Sequence, residues 1–541
     1  MVGCPTCGAG LRFDIAEQRM VCDHCNSRYL PEQLPDDSNT DDAQQSSFNC
    51  FVYTCPSCGA ELVTTDRNDA VGFCQYCGGA SMIFDKMRRE WKPDHIIPFQ
   101  ITKEQCKEAY RKEAKRFFVS GKYSKPELIE GFRGIYMPYW SYRASMKGQF
   151  SIGAKGPRER VSHNTYNIPH YAVKGQTDCM IDGYSHDASL SFDDELSQSI
   201  APYEYQKQTG FAPGYLSGFY AESGNVNPHE YDEMIEAEMK EDAVESVVKA
   251  PSMNDYLRSN SLSLERDESK APVQIHSVSR SLNPVWFMSC RNGKDITYAA
   301  VNGQTGKVAA DLPLSPLRIL LTALGIAAAV FAVLMLLMSV IPSVKANSTL
   351  GVCLLLMGGG MYFMQNSFNR TVDKPQPGAK KKGKFPGPAG YMFLLAVGVI
   401  SLIAMASDGS YDQDIADFAR IVLIASSAAM LVGHVLQAAD SSAVRKLQIN
   451  GESLLRVRIV TEAKGFLSSV LWLKILMYIT LAAGALVVFL DLANSLITYG
   501  MCILCAVELF GLALFHIRFQ TQVAKRPLPQ FNKKGALYDE N

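Results

Sequence analysis

At 541 residues the chain is too long for a single domain, and a formal net charge of −1 (53 Lys and Arg against 54 Asp and Glu) excludes a protein that binds nucleic acid through bulk charge. Hydrophobic residues make up 47% and are unevenly spread. Up to about residue 315 the chain reads as a soluble protein, whereas beyond it long apolar runs alternate with polar, often basic, segments.

The chain opens with four CxxC pairs: Cys4/Cys7, Cys22/Cys25, Cys55/Cys58 and Cys74/Cys77. Each pair puts two thiolates on one tight turn, and pairs separated by 14 or 15 residues close a tetrahedral four-cysteine zinc site. The halves repeat, CPTCGAGL at 4–11 against CPSCGAEL at 55–62. We therefore expect tandem zinc ribbons, over 1–48 and 49–90, holding two structural Zn2+. Disulfides would suit a secreted protein, and no signal peptide is read before Cys4. A thioredoxin-like pair would need one CxxC in a βαβ setting. Gly8, Gly59 and Gly78 each follow a second cysteine and suit a backbone that turns its amides toward sulfur. His24 reads as an exposed histidine, because four thiolates complete the site without it.

An α+β soluble domain with an antiparallel sheet is expected over 91–315. A helix is predicted over 103–120 with Thr102 as its N-cap. Its solvent face is basic (Lys107, Arg111, Lys112, Lys115, Arg116) and open to an acidic partner or lipid. GIYMPYWSYRA at 134–144 alternates as a strand, and Tyr136, Tyr139, Trp140 and Tyr142 read as sheet-core aromatics in preference to a base-stacking surface. His186, Asp187, Asp193, Asp194 and Glu195 cluster without zincin or EF-hand spacing, and DDEL at 193–196 suits a helix N-terminus. A charged helix and then a flexible polar excursion are predicted near 228–272. Strands follow over 273–310, with a hairpin at Asn302-Gly303 and Thr305-Gly306. Lys307 is not a phosphate-loop lysine, since Val308 stands where Ser or Thr is needed.

From 316 to 520 hydropathy predicts a C-terminal six-helix transmembrane bundle, with spans at 319–341, 349–364, 389–406, 418–438, 466–489 and 495–515. Basic loops alternate with non-basic ones, and a basic tail covers 521–541. The positive-inside rule then puts both termini in the cytoplasm of a multi-pass cell-membrane protein, where the ribbon thiols stay reduced. Lys474 and Glu508 each lie eight residues from the cytoplasmic end of a predicted span, roughly 12 Å deep, and are expected to form an intramembrane ion pair.

The order of these parts resembles the bacterial group labelled TFIIB-type zinc ribbon-containing proteins, also labelled PriA-helicase-like. The resemblance rests on the CPxCG ribbons, IIPFQITKEQCKEAYR at 96–111, GIYMPYW at 134–140, SIAPYEY at 199–205, FAPGYLSGFYA at 211–221 and YAAVNGQTGKVAADLPLS at 298–315. No ATPase motif accompanies the helicase label. The resemblance implies scaffold partners such as phage-shock protein A or SPFH-type proteins in envelope maintenance, and it brings no catalytic residues.

The reading that follows is a scaffold that recruits protein partners to membrane lipid, with no enzyme activity and no small-molecule substrate. Two alternatives come from other classes. A membrane-tethered nucleic-acid binder would need a basic stripe, yet the ribbons hold few bases, among them Arg12, Arg19, Arg28 and Arg67, interspersed with acids such as Asp14, Glu17, Asp23, Glu61, Asp66 and Asp69. A transporter or membrane enzyme would turn on Glu508.

Overall fold

The structure, a computed structural model, describes residues 3–34, 47–65, 74–322, 350–361 and 454–529, with short gaps inside these ranges. The first ribbon is a small sheet of β1 (Leu11–Asp14), β2 (Arg19–Cys22) and β3 (Arg28–Tyr29). Alternation turns Leu11 and Phe13 inward, and the Asp14 carboxylate accepts from the amides of Ala16 and Glu17 to reverse the chain.

The strands of the second ribbon, β4 (Ser47–Thr54), β5 (Glu61–Thr64) and β6 (Ile83–Trp91), form one end of a 13-stranded sheet. β7 (His95–Ile96) and the 23-residue β8 (Arg133–Lys155) continue it. A small pair, β9 (Glu159–Arg160) with β10 (Tyr166–Asn167), follows β8, and β11 (His170–Asp187) returns antiparallel along β8 from Lys155 to Tyr139. β12 (Thr209–Gly210), β13 (Tyr220–Ala221), β14 (Ser263–Lys270) and β15 (Val273–Asn292) come next. β15 runs antiparallel to β8 over most of its length. β16 (Asp295–Asn302) hairpins onto β15, and one edge of β16 carries both β17 (Val308–Ala310) and β18 (Arg526–Pro527).

Along the centre of β8 and β15 both faces are covered, so the burial is continuous where a one-sided sheet would alternate. Ile135, Met137, Tyr139, Val285 and Phe287 join one core, which takes in all four cysteines of the second ribbon. Tyr136, Leu282, Trp286 and Met288 join the other, which takes in Cys4, Cys22, Leu11, Phe13 and Met20 of the first. The two ribbons therefore pack on opposite faces of one sheet. Tyr136, Tyr139 and Tyr142 are core aromatics as expected, and Trp140 donates its ring N–H to Val226 O at 3.0 Å. Gly134 has to be glycine: a Cβ there would stand 2.6 Å from the Phe219 ring.

The helices are short in this half. α1 (Lys103–Ala114) carries the expected Thr102 cap, closed as a capping box by Gln105, but it stops six residues early because Val119 leaves to bridge Leu314. α2 (Pro126–Ile129) follows. α3 (Asp194–Ile200) begins where DDEL predicted, with Asp193 accepting from Leu196 N. The excursion expected after the charged helix is ordered: α4 (Pro251–Ser259) leads into β14, which pairs with β8. The charged helix itself lies mostly outside the described residues.

The six-helix transmembrane bundle is corrected. Among the described residues two helices are long and apolar enough to cross a membrane: α5 (Leu454–Phe489), through Val470–Val487, and α6 (Ser495–Val523), through Leu496–Val523. Hydropathy registers apolar composition, whereas a crossing also needs about 20 consecutive helical residues. The helical positions described between 350 and 361 pack against α5 and α6, and the remainder of the stretch predicted at 349–364 lies outside the described residues. The stretches 389–406 and 418–438, and 319–341 apart from its first turn, lie outside the described residues. In the packed group small residues admit close approach: a Cβ on Gly360 would meet Leu509 at 2.7 Å, and one on Gly484 would meet Leu354 at 2.7 Å.

Candidate metal centres

Each ribbon brings its two CxxC turns face to face. In the first, Sγ of Cys4 lies 3.5 Å from Cys25 and Sγ of Cys7 lies 3.5 Å from Cys22. In the second, Cys55–Cys77 is 3.5 Å and Cys58–Cys74 is 3.6 Å. All four sulfurs of each set lie within 4.8 Å of one another. A tetrahedron of Zn–S bonds of about 2.3 Å has edges of roughly 3.8 Å, so both sets have the size of a zinc site and the donors zinc prefers. Two four-cysteine clusters able to hold metal ions are thus present, with the ligand sets that the spacing predicted.

The turns follow from glycine and from backbone hydrogen bonds. Gly8, Gly59 and Gly78 have φ of 74°, 79° and 66°, a region open to glycine at little cost. Each donates its amide to the carbonyl of the first cysteine in its turn, at 2.8, 2.8 and 2.9 Å. Gly79 N–H donates to Cys77 Sγ at 3.3 Å. Electrostatics also call for a cation. Hydrogen bonds from Cys58 and Cys74 pull the Cys77 thiol down to about 2, while those linking Cys74 to Cys55, Cys58 and Cys77 push the Cys74 thiol far up. Four thiols this close cannot all ionise on their own, and a bound dication is what makes four thiolates compatible.

The two centres differ in setting. In the second, all four cysteines are buried. Tyr76, between Cys74 and Cys77, donates its hydroxyl to Glu222 inside the core, and Ser189 donates to the other Glu222 oxygen at 2.6 Å. Burial holds Glu222 above the usual carboxylate range, with Ser189 and Tyr76 opposing it. Tyr298 OH donates to Tyr76 O at 2.8 Å and so ties β16 to the same turn. In the first centre Cys4 and Cys22 are buried, Cys25 is half-buried, and Cys7 is exposed, as are Pro5, Thr6, Asp23 and His24. This ribbon rests on residues 213–217 through the Phe13–Tyr215 ring contact at 5.2 Å and the Phe13 N–Ser217 O bond at 3.3 Å.

Sequence reasoning missed Tyr76, Glu222 and Ser189, which come from three distant segments. Tyr76→Phe is expected to cost about 1–3 kcal/mol, because it strips the donor from a buried carboxyl oxygen. Denaturant unfolding of the two proteins checks this, and equal midpoints would remove the network from the account.

Glu508 and Lys474, expected to pair, are both among the described residues. Glu508 on α6 is 2% exposed and accepts from Thr480 Oγ1 of α5 at 2.8 Å. Lys474 is half-buried on α5, six residues before Thr480 and so roughly 9 Å along the axis. A Cβ on Gly511 of α6 would meet Leu473 of α5 at 3.4 Å. Glu508 is thus met by a threonine that sequence reading did not single out.

Among basic residues of the tail, Arg526 is no solvated loop charge. It is 7% exposed, bonds Asp311 at 2.7 Å and Asp193 at 2.9 Å, and lies 5.3 Å over the Tyr298 ring.

No protein-family model matches the chain. No solved structure matches it. It is similar to a Bacillus subtilis (strain 168) protein that carries the name Uncharacterized protein YdjG, 27% identical over 343 residues that cover 62% of this chain and 96% of that protein.

Proposed function

We propose that the protein is a membrane-anchored zinc-ribbon scaffold: α5 and α6 hold it in the bilayer, and the first ribbon presents a docking surface to a cytoplasmic protein. The observation that carries this reading is the asymmetry of the two centres. The second is locked into the sheet core, while the first turns an exposed knuckle (Pro5, Thr6, Cys7, Asp23, His24) outward. A closed four-thiolate set leaves no ligand position for catalysis, so what the knuckle offers is shape and backbone donors. Reduced thiols favour the cytoplasmic side for both ribbons. Partners of the phage-shock protein A or SPFH type fit the family resemblance.

The test is in-cell crosslinking followed by purification from membranes, comparing wild type with Pro5→Asp/His24→Asp. Both positions are exposed, so the variant should keep its zinc. Loss of a specific crosslinked protein, with metal content unchanged, is the expected result. An identical crosslink profile sinks the docking role, and recovery of nucleic acid in place of protein turns the reading to the alternative.

A further inference from the structure

The segment that leads toward the membrane helices is packed against the end of α1, and the side chains around that junction are basic. Val119 forms a β-bridge with Leu314. Ser120 donates its amide to Pro313 O at 3.1 Å, and Arg318 Nη1 donates to Val119 O at 3.1 Å. Residues 316–322 are helical, and Leu317, Leu320 and Leu321 are 63%, 38% and 58% exposed. Three large apolar side chains bared within five residues suit acyl chains far better than water. The sequence beyond them stays free of charge to residue 344.

On the α1 side of the same junction, Lys112, Lys115, Arg116, Lys122 and Lys125 are all exposed. Within 111–125 the sole acid is Glu113, which pairs with Arg116 at 2.7 Å. These bases flank Val119 and Gly121, which touch Leu314 and Arg318, and so they lie beside the exposed leucines. Their long stems let the charge reach phosphate while the chain stays packed. We propose that this cluster is a binding surface for anionic phospholipid headgroups, which fixes the soluble sheet against the bilayer. The proposal rests on the membrane reading above and adds a lipid preference to it.

Amide hydrogen exchange on the full chain in nanodiscs tests it, with phosphatidylcholine alone compared with a phosphatidylcholine–phosphatidylglycerol mixture. Exchange across 115–125 should slow about fivefold or more with the anionic lipid, on the order of the contribution of one basic side chain at a charged surface. The slowing should vanish at about 0.5 M salt, where the screening length is a few Å. It should also vanish in Lys115→Gln/Lys122→Gln/Lys125→Gln, whose exchange elsewhere in the sheet stays that of wild type. Equal exchange in both lipids overturns the proposal. A chain that stays soluble without detergent and does not enter discs overturns the membrane reading first, so the two failures are distinguishable.

Discussion

Cys74→Ser is expected to unfold the soluble sheet, whereas Cys7→Ser leaves it folded. Cys74 is fully buried within the same core as Tyr139, Val285 and Phe287, and the same turn holds Tyr76 on Glu222. Losing the fourth thiolate weakens a metal site whose binding energy is also folding energy, worth about 10–16 kcal/mol in isolated zinc-finger peptides. It also leaves the other thiols crowded in a dry core without their counter-ion. Even half of that range equals the whole stability of an ordinary domain, about 5–15 kcal/mol. Cys7 lies at the exposed rim of a ribbon attached through residues 213–217, so the cost of its loss stays local. Zinc content, thermal unfolding and limited proteolysis of both variants separate the cases. Both should lose metal, and only Cys74→Ser should lose the protected core fragment. Equal proteolysis of the two would refute the division of roles.

Arg526→Met is expected to destabilise the sheet by about 3–5 kcal/mol, the cost of leaving buried charge without its partner. The side chains of Arg526, Asp193 and Asp311 are 9%, 17% and 19% exposed, so solvent screens this cluster little. The pH dependence has a definite sign. Burial raises Asp311 above the usual carboxylate range, and Arg526 opposes it. Without Arg526 the folded-state value rises further. An acid raised in this way contributes stability below its unfolded value of about 3.9 and loses it as pH climbs through the folded value. The deficit of the variant is therefore smallest near pH 4 and grows toward neutrality. Denaturant midpoints measured across that window check the sign, and adding Asp311→Asn should recover part of the loss at neutral pH. A deficit independent of pH would mean that packing over Tyr298 is what Arg526 contributes.

What the sequence disclosed was local. The eight cysteines were legible because a CxxC turn and its glycine are set within five residues, and Thr102 and Asp193 were legible as caps for the same reason. β8 showed itself through GIYMPYWSYRA, and strand-like stretches were legible beyond Lys147, yet its run on to Lys155 as one strand was not, since Gly148 reads as a turn. β14, with the sequence SLERDESK, reads as solvent-exposed coil, and only its pairing with β8 makes it a strand. The embedding of the second ribbon was hidden as well. Two sequence repeats look alike, and nothing in CQYC announces that Tyr76 meets a glutamate 146 residues away. Toward the C-terminus, apolar composition marked α5 and α6, the two helices among the described residues long and apolar enough to cross a membrane, where the six-span reading had asked for six.

The placement of β17 and β18 on one edge of β16 carries a topological consequence. Ala310 pairs with Ala299 and Arg526 with Ile296, so the chain leaves the sheet and rejoins it three rungs apart, about 10 Å. The 215 residues between those two points are looped out of what is geometrically a single interrupted edge strand, and Arg526 buttons the gap shut on Asp311. A loop that starts and finishes on the same side of a bilayer obeys parity: it crosses an even number of times. α5 and α6, the two described helices long and apolar enough to cross a membrane, are compatible with that rule as a pair.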